Sequence, residues 1–140
     1  MAEYQKPLPR PEDPVLTRPF WEAARRHQLI IQRCRPCGRF FWSPRQNCPF
    51  CLGMEWEWTP VSGRARLYTY TVVRQSQHPS FAEDVPYAYA IVALEEGVRM
   101  ISNVVGCKVP DDLRMEMPLQ AVFDDVTPQW TLVKFRPAPA

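Results

Sequence analysis

The spacing of apolar positions changes period twice along the chain. Near the N-terminus Phe20, Trp21 and Ala24 share one helical face, while Arg25 and Arg26 fall elsewhere. Thr17 is the expected N-cap, with Pro19 near the first turn and Glu22 in it, and the helix is expected to run to His27 or Gln28. Short apolar runs follow at Leu29 to Arg33 and Arg39 to Trp42, and Glu55 to Trp58 alternates polar with aromatic, the signature of half-buried strands. Beyond Pro60 the texture is purely β. Arg64 to Val73, Tyr87 to Leu94, Val98 to Val105, Leu119 to Phe123 and Thr131 to Phe135 read as five strands. Glu95-Glu96-Gly97 is a tight turn in which glycine supplies the positive φ, and Pro110 to Leu113 reads as a short helical turn. Five short strands with almost no helix predict a small barrel, for which an OB-fold and an SH3-like barrel fit the pattern nearly equally.

The segment between helix and barrel carries the chemistry. Cys34-Arg35-Pro36-Cys37-Gly38 and Cys48-Pro49-Phe50-Cys51-Leu52-Gly53 are two C-x₂-C turns separated by ten residues. Each turn aims two sulfurs at one point, and two such turns close a tetrahedral S₄ site. The spacing therefore predicts one structural metal ion held by Cys34, Cys37, Cys48 and Cys51. Zinc is expected. Iron is the competitor, because S₄ sites accept it, and would make the chain a rubredoxin-type electron carrier. A thioredoxin-like redox motif fits poorly, since that motif is single and opens a helix in a βαβ unit.

Composition narrows the reading further. Apolar residues make up 46% of the 140, enough for a core, and the net charge of +2 comes from interspersed acids and bases. No basic run is longer than Arg25-Arg26, which argues against a binder working by phosphate neutralisation. No segment has the roughly 18 apolar residues of a membrane span. With no signal-like apolar core near Met1, the expected location is cytoplasmic, where cysteines serve as metal ligands more often than as disulfides. The 16 prolines cluster at Pro7, Pro9, Pro11 and Pro14 and again at Pro137 and Pro139, so both ends are expected to be extended.

Catalytic machinery is absent from this reading. There are only two histidines. His27 is expected at the helix end, where positive charge complements the dipole, and His78 lies in the polar loop from Gln75 to Val85. Cys107 stands alone and reads as a small buried apolar residue. Phe20 and Trp21 are either core or the anchors of an interface, and His78 and Phe81 are candidate ligand or partner contacts on a loop.

The order Phe20-Trp21-Glu22-Ala23, Leu29 to Gly38, Pro44-Arg45, Cys48-Pro49-x-Cys51 and Ser62-Gly63-Arg64 leading into Tyr68 to Val73 resembles one family. Val85-Pro86-Tyr87, Glu95-Glu96-Gly97, Asn103 to Gly106, Met117-Pro118-Leu119 and Val122-Phe123 agree with it, so the resemblance spans roughly residues 17–136. It is the acyl-CoA-associated family, first defined as a domain of unknown function, that joins a rubredoxin-like zinc ribbon to an OB-fold. The resemblance implies a helix and zinc ribbon (17–58) and a five-stranded OB-fold (59–136), between the proline-rich arm (1–16) and tail (137–140) expected from composition. It also implies a non-catalytic subunit of a hetero-oligomer with a thiolase or a steroid side-chain aldolase, with any CoA thioester reached through the partner. Two rival readings stand beside it. One is a nucleic-acid-binding module using Tyr68, Tyr70, Tyr87 and Tyr89 as a stacking platform, although aromatics on alternating strand positions are more often core. The other is a free-standing acyl-CoA carrier.

Overall fold

The computed structural model describes residues 4–139; the first three residues of the expected arm and the last of the expected tail lie outside them. The chain folds as helix α1 (Pro14–Arg25), a three-stranded ribbon of β1 (Ile30–Cys34), β2 (Phe40–Phe41) and β3 (Trp56–Pro60), and a barrel. The barrel strands are β4 (Arg64–Val73), β5 (Tyr87–Leu94), β6 (Arg99–Ser102), β7 (Pro118–Asp125) and β8 (Thr131–Pro137).

Helix α1 starts one turn earlier than its sequence signals predict. Asp13, not Thr17, is the N-cap: its carboxylate accepts from the Leu16 N–H at 3.0 Å, and Pro14 occupies the first turn, where its fixed φ suits the helix. The Thr17 hydroxyl instead donates to the Asp13 carbonyl at 3.0 Å. The helix ends in a Schellman turn. Gln28 N–H reaches Ala23 O at 2.9 Å and His27 N–H reaches Ala24 O at 2.8 Å, with His27 at φ 59°. His27 thus lies just past the helix, in the left-handed position usually held by glycine.

Strand order in the barrel is β6-β5-β4-β7-β8, all antiparallel. The run expected as a single strand from Val98 to Val105 divides in two. Arg99–Ser102 pairs with β5, then the Asn103 side chain donates to the Ala88 carbonyl at 2.7 Å and Val104 forms a parallel bridge to Phe135. The chain changes partner there and closes the sheet on itself. This Greek-key closure decides for the OB-fold over the SH3-like alternative.

Inward positions alternate along the strands: Ala65 and Leu67, then Ala88, Ala90, Val92 and Leu94, then Met100, Leu119 and Phe135. The same core takes in Phe20 and Ala23 of α1 and Ile30 and Ile31 of β1, so helix, ribbon and barrel share one interior. The tail is also partly structural, since β8 runs through Pro137 and Ala138 N–H bonds the Pro118 carbonyl at 3.0 Å.

Candidate metal centre

Two hairpin turns with the same internal wiring build the sulfur cluster. In the first, Cys34 N–H bonds Arg39 O and Gly38 N–H bonds Cys34 O, each at 2.9 Å. In the second, Cys48 N–H bonds Gly53 O at 2.9 Å and Leu52 N–H bonds Cys48 O at 2.8 Å. The four Sγ atoms lie within 4.8 Å of one another, with Cys34–Cys51 at 3.4 Å and Cys37–Cys48 at 3.7 Å. A tetrahedron with metal–sulfur bonds of about 2.3 Å has edges of about 3.8 Å, so this donor set fits a zinc ion. Cys34 and Cys48 are buried, and Cys37 and Cys51 face outward. None of the five cysteines is in a disulfide, so the four clustered sulfurs are available as ligands.

Electrostatics at the cluster favour a cation. Although the Cys37 N–H supports its thiolate, Cys34 is pushed up to about 12 by burial and by the sulfurs of Cys51, Cys37 and Cys48. Cys48 moves the other way: despite burial, the N–H groups of Cys51 and Phe50 and the neighbouring sulfurs bring it down to about 7. A divalent ion bound by these sulfurs would displace their protons. Gly53 keeps the approach open, since a Cβ there would sit 3.3 Å from Cys51 Sγ.

A residue that sequence reasoning missed supports this site. Gln32 on β1 is fully buried, its amide donating to Arg45 O at 2.8 Å and accepting from Arg45 N–H at 3.0 Å. This clasp fixes the connection between the two turns. Trp56 Nε1 adds a bond to Gln46 O at 2.8 Å, and Asn47 Nδ2 adds one to Leu52 O at 3.1 Å.

The other candidate residues lie elsewhere. Phe20 is only 6% exposed and belongs to the core, which corrects its reading as an interface anchor. Its ring meets Trp21 at 5.2 Å, Trp42 at 5.1 Å and Trp58 at 6.3 Å. Trp21 is half-buried and meets Trp130 edge-on at 5.1 Å, so this aromatic seam joins helix, ribbon and barrel. Beside it runs an apolar groove of about 420 Å³, lined in part by Trp21, Trp42, Tyr89, Ile101 and Leu132.

The loop after β4 does bring His78 and Phe81 together, their rings 6.1 Å apart. His78 Nδ1 caps a short 3-10 turn by accepting from Ser80 N–H at 3.2 Å. Phe81 is half-buried, with Lys6 Nζ 5.8 Å above its ring, and Lys6 pairs with Asp84 at 2.7 Å. His27 does more than complement a dipole. It stacks on Phe123 at 5.2 Å and bonds Asp125 at 2.8 Å, while the Thr131 hydroxyl bonds the same carboxylate at 2.6 Å. Cys107 is half-buried, not buried as expected, because it follows Gly106 on the loop leaving the barrel closure. Tyr68 and Tyr89 also depart from a core reading: they are 39% and 48% exposed, with the Arg99 guanidinium 4.0 Å over Tyr68. Among the described residues no helix is long and apolar enough to cross a membrane.

Residues 21–57 match the family model "ChsH2, rubredoxin-like zinc ribbon domain", and residues 58–124 match "ChsH2, C-terminal OB-fold domain". A DUF35 domain-containing scaffold protein of Methanocaldococcus jannaschii is 37% identical over 112 residues, 79% of this chain and 78% of that protein. A probable enoyl-CoA hydratase alpha subunit of Thermomonospora curvata is 36% identical over 137 residues; the match takes in 96% of this chain but only 42% of that protein's length. Among solved structures, a chain of the Ltp2-ChsH2(DUF35) aldolase superposes with a TM-score of 0.82 at 35% identity, covering 93% of this chain and 100% of that one. With its sulfur-built ribbon continuing into a five-stranded Greek-key barrel, the chain belongs to the ChsH2-type DUF35 family of zinc ribbon and OB-fold proteins.

Proposed function

We propose that this chain is a non-catalytic accessory subunit that binds and supports a thiolase-superfamily enzyme, a thiolase or steroid side-chain aldolase, acting on acyl-CoA thioesters. The observation that carries the reading is the near-complete superposition on a chain of the Ltp2-ChsH2(DUF35) aldolase. In this reading Cys34, Cys37, Cys48 and Cys51 hold one structural zinc ion per chain. All four donors are protein sulfurs, so the ion is coordinatively closed and serves folding, not activation of water or a carbonyl. The chain divides near residue 58 into ribbon and barrel, and its acyl-CoA contact is made through the partner.

Supporting the accessory role, His27 is bonded to Asp125 at 2.8 Å, and the contact of His78 Nδ1 with the Ser80 hydroxyl at 2.6 Å lies within the exposed 3-10 turn that His78 caps. The test is co-expression with a thiolase-superfamily protein encoded beside it, followed by size exclusion and an acyl-CoA cleavage assay. A stable complex whose activity depends on this chain is expected. Full activity from the partner alone, or turnover by this chain alone, would sink the proposal. One observation favours a second reading: Tyr68, Tyr89 and Arg99 form an exposed aromatic and cationic surface on the barrel, of the kind on which bases stack. Submicromolar, steeply salt-dependent binding of a single-stranded oligonucleotide would favour it.

A further inference from the structure

The two cysteine turns share their hydrogen-bond wiring but differ at one position. Gly38, after Cys37, sits at φ +72°, and Leu52, after Cys51, sits at φ +63°. A Cβ at Gly38 would meet nothing within 4 Å, so space does not explain why one turn carries glycine and the other leucine. At a positive φ a branched side chain strains the backbone, where glycine would not. Nor does burial compensate, since Leu52 is 73% exposed. Leucine at this position contributes little to the fold. Its neighbours are exposed too: Phe50 by 55% and Met54 by 69%. The second turn therefore ends in an apolar knob of three large side chains.

The surroundings of the knob are cationic. Residues 29–60 contain four arginines and two glutamates, and Arg35 already pairs with Glu57 at 3.2 Å. The Arg39 guanidinium lies 4.6 Å from the centre of the Phe50 ring, and that of Arg33 lies 5.0 Å from Phe40. Arg33 Nε already donates to Gly38 O at 3.1 Å, whereas a guanidinium stacked on a ring, as Arg39 is on Phe50, keeps its in-plane N–H groups directed outward for a carboxylate.

We propose that Phe50, Leu52 and Met54 form a docking tip that inserts into an apolar cleft rimmed by carboxylates on the catalytic subunit. This rests on the accessory-subunit reading and names the surface that makes the contact. Phenylalanine, methionine and arginine are residues enriched at protein interfaces. A nucleic acid is the poorer fit, because the knob offers one aromatic ring, Phe50, beside two aliphatic side chains, whereas single strands bind on successive aromatic platforms.

The test uses the whole chain, loaded with zinc, titrated calorimetrically with the catalytic subunit. Leu52→Gly removes the strain and the side chain together. It is expected to keep one zinc per chain and an unchanged or higher melting temperature, yet to weaken binding at least tenfold. Met54→Ser, which leaves every turn hydrogen bond in place, carries the same test if Leu52→Gly folds poorly. Arg39→Glu should weaken binding further and reduce its salt dependence. If wild type binds and both Leu52→Gly and Met54→Ser bind within twofold of it, the docking tip is wrong and the accessory-subunit reading stands. If wild type does not bind the catalytic subunit, both fall. Loss of self-association, or of oligonucleotide binding, in these variants without any change toward the catalytic subunit would also overturn the assignment.

Discussion

Replacing Gln32 by methionine keeps the length of the side chain and removes both ends of its clasp on Arg45. Each hydrogen bond contributes about 0.5–1.5 kcal/mol net, and a partner left unsatisfied in a partly buried place costs about 1–3 kcal/mol. Part of that second cost is recovered by water, because Arg45 itself is exposed. The expected loss is therefore about 2–4 kcal/mol. For a chain of this size that corresponds to a fall in melting temperature of about 10 °C. The connection held by Gln32 leads directly into Cys48, so zinc affinity should fall as well, measured by competition with a chromogenic chelator. Thermal unfolding followed by far-UV circular dichroism at saturating zinc reads the first effect. A fall of less than about 2 °C, with zinc affinity unchanged, would refute the reasoning that this amide organises the site.

Three further outcomes are expected. Elemental analysis should find one zinc per chain in a colourless protein, and Cys34→Ser or Cys51→Ser should unfold the ribbon, since structural zinc contributes about 10–16 kcal/mol of apparent folding free energy in small fingers; a red, iron-containing protein would overturn this. Trp21→Ala removes the edge contact with Trp130 and should destabilise the seam by about 2 kcal/mol and weaken the partner complex in size exclusion, with zinc content unchanged. Asp125 is held below the usual carboxylate range by the Thr131 hydroxyl and by His27, so its contribution to stability is present above that range and lost as pH falls through the lowered value; Asp125→Asn should flatten the acid limb of a melting-temperature profile, and an unchanged acid limb would contradict this.

How much of this was legible depended on the range of the interaction. The four ligands were readable because both turns are local and chemically rigid, and the barrel strands because their alternation is local too. The OB-fold was separable from its rival only by the bridge from Val104 to Phe135, a pairing across some thirty residues that alternation does not encode. Phe20 carried the same signal whether buried or exposed; what decided for the core was the arrival of Trp42 and Trp58 from the ribbon. Thr17 was read as the cap, and proline at position 14 directly after Asp13 was the signal that could have placed the helix start earlier. Gln32 was invisible because nothing in a polar residue on a strand announces a partner thirteen positions away. Leu52 could have been found, by laying one cysteine turn over the other and asking what stands opposite Gly38.

Barrel closure has a consequence for the order in which the molecule assembles during synthesis. The ribbon is complete once Pro60 has been made, and its ligands span only residues 34–51, so it can capture metal and fold early. The barrel must wait for Phe135, whose N–H and carbonyl bond Asn103 and Val105. At about 5–20 residues per second, that interval lasts roughly 4–15 s. Helix α1, which precedes the ribbon, packs on β1 of the ribbon and on β7 and β8 at the far end of the barrel sequence. Through that interval the apolar face of the helix is without its barrel partners, and the finished ribbon, carrying Trp42 and Trp58, is the surface at hand to shelter Phe20.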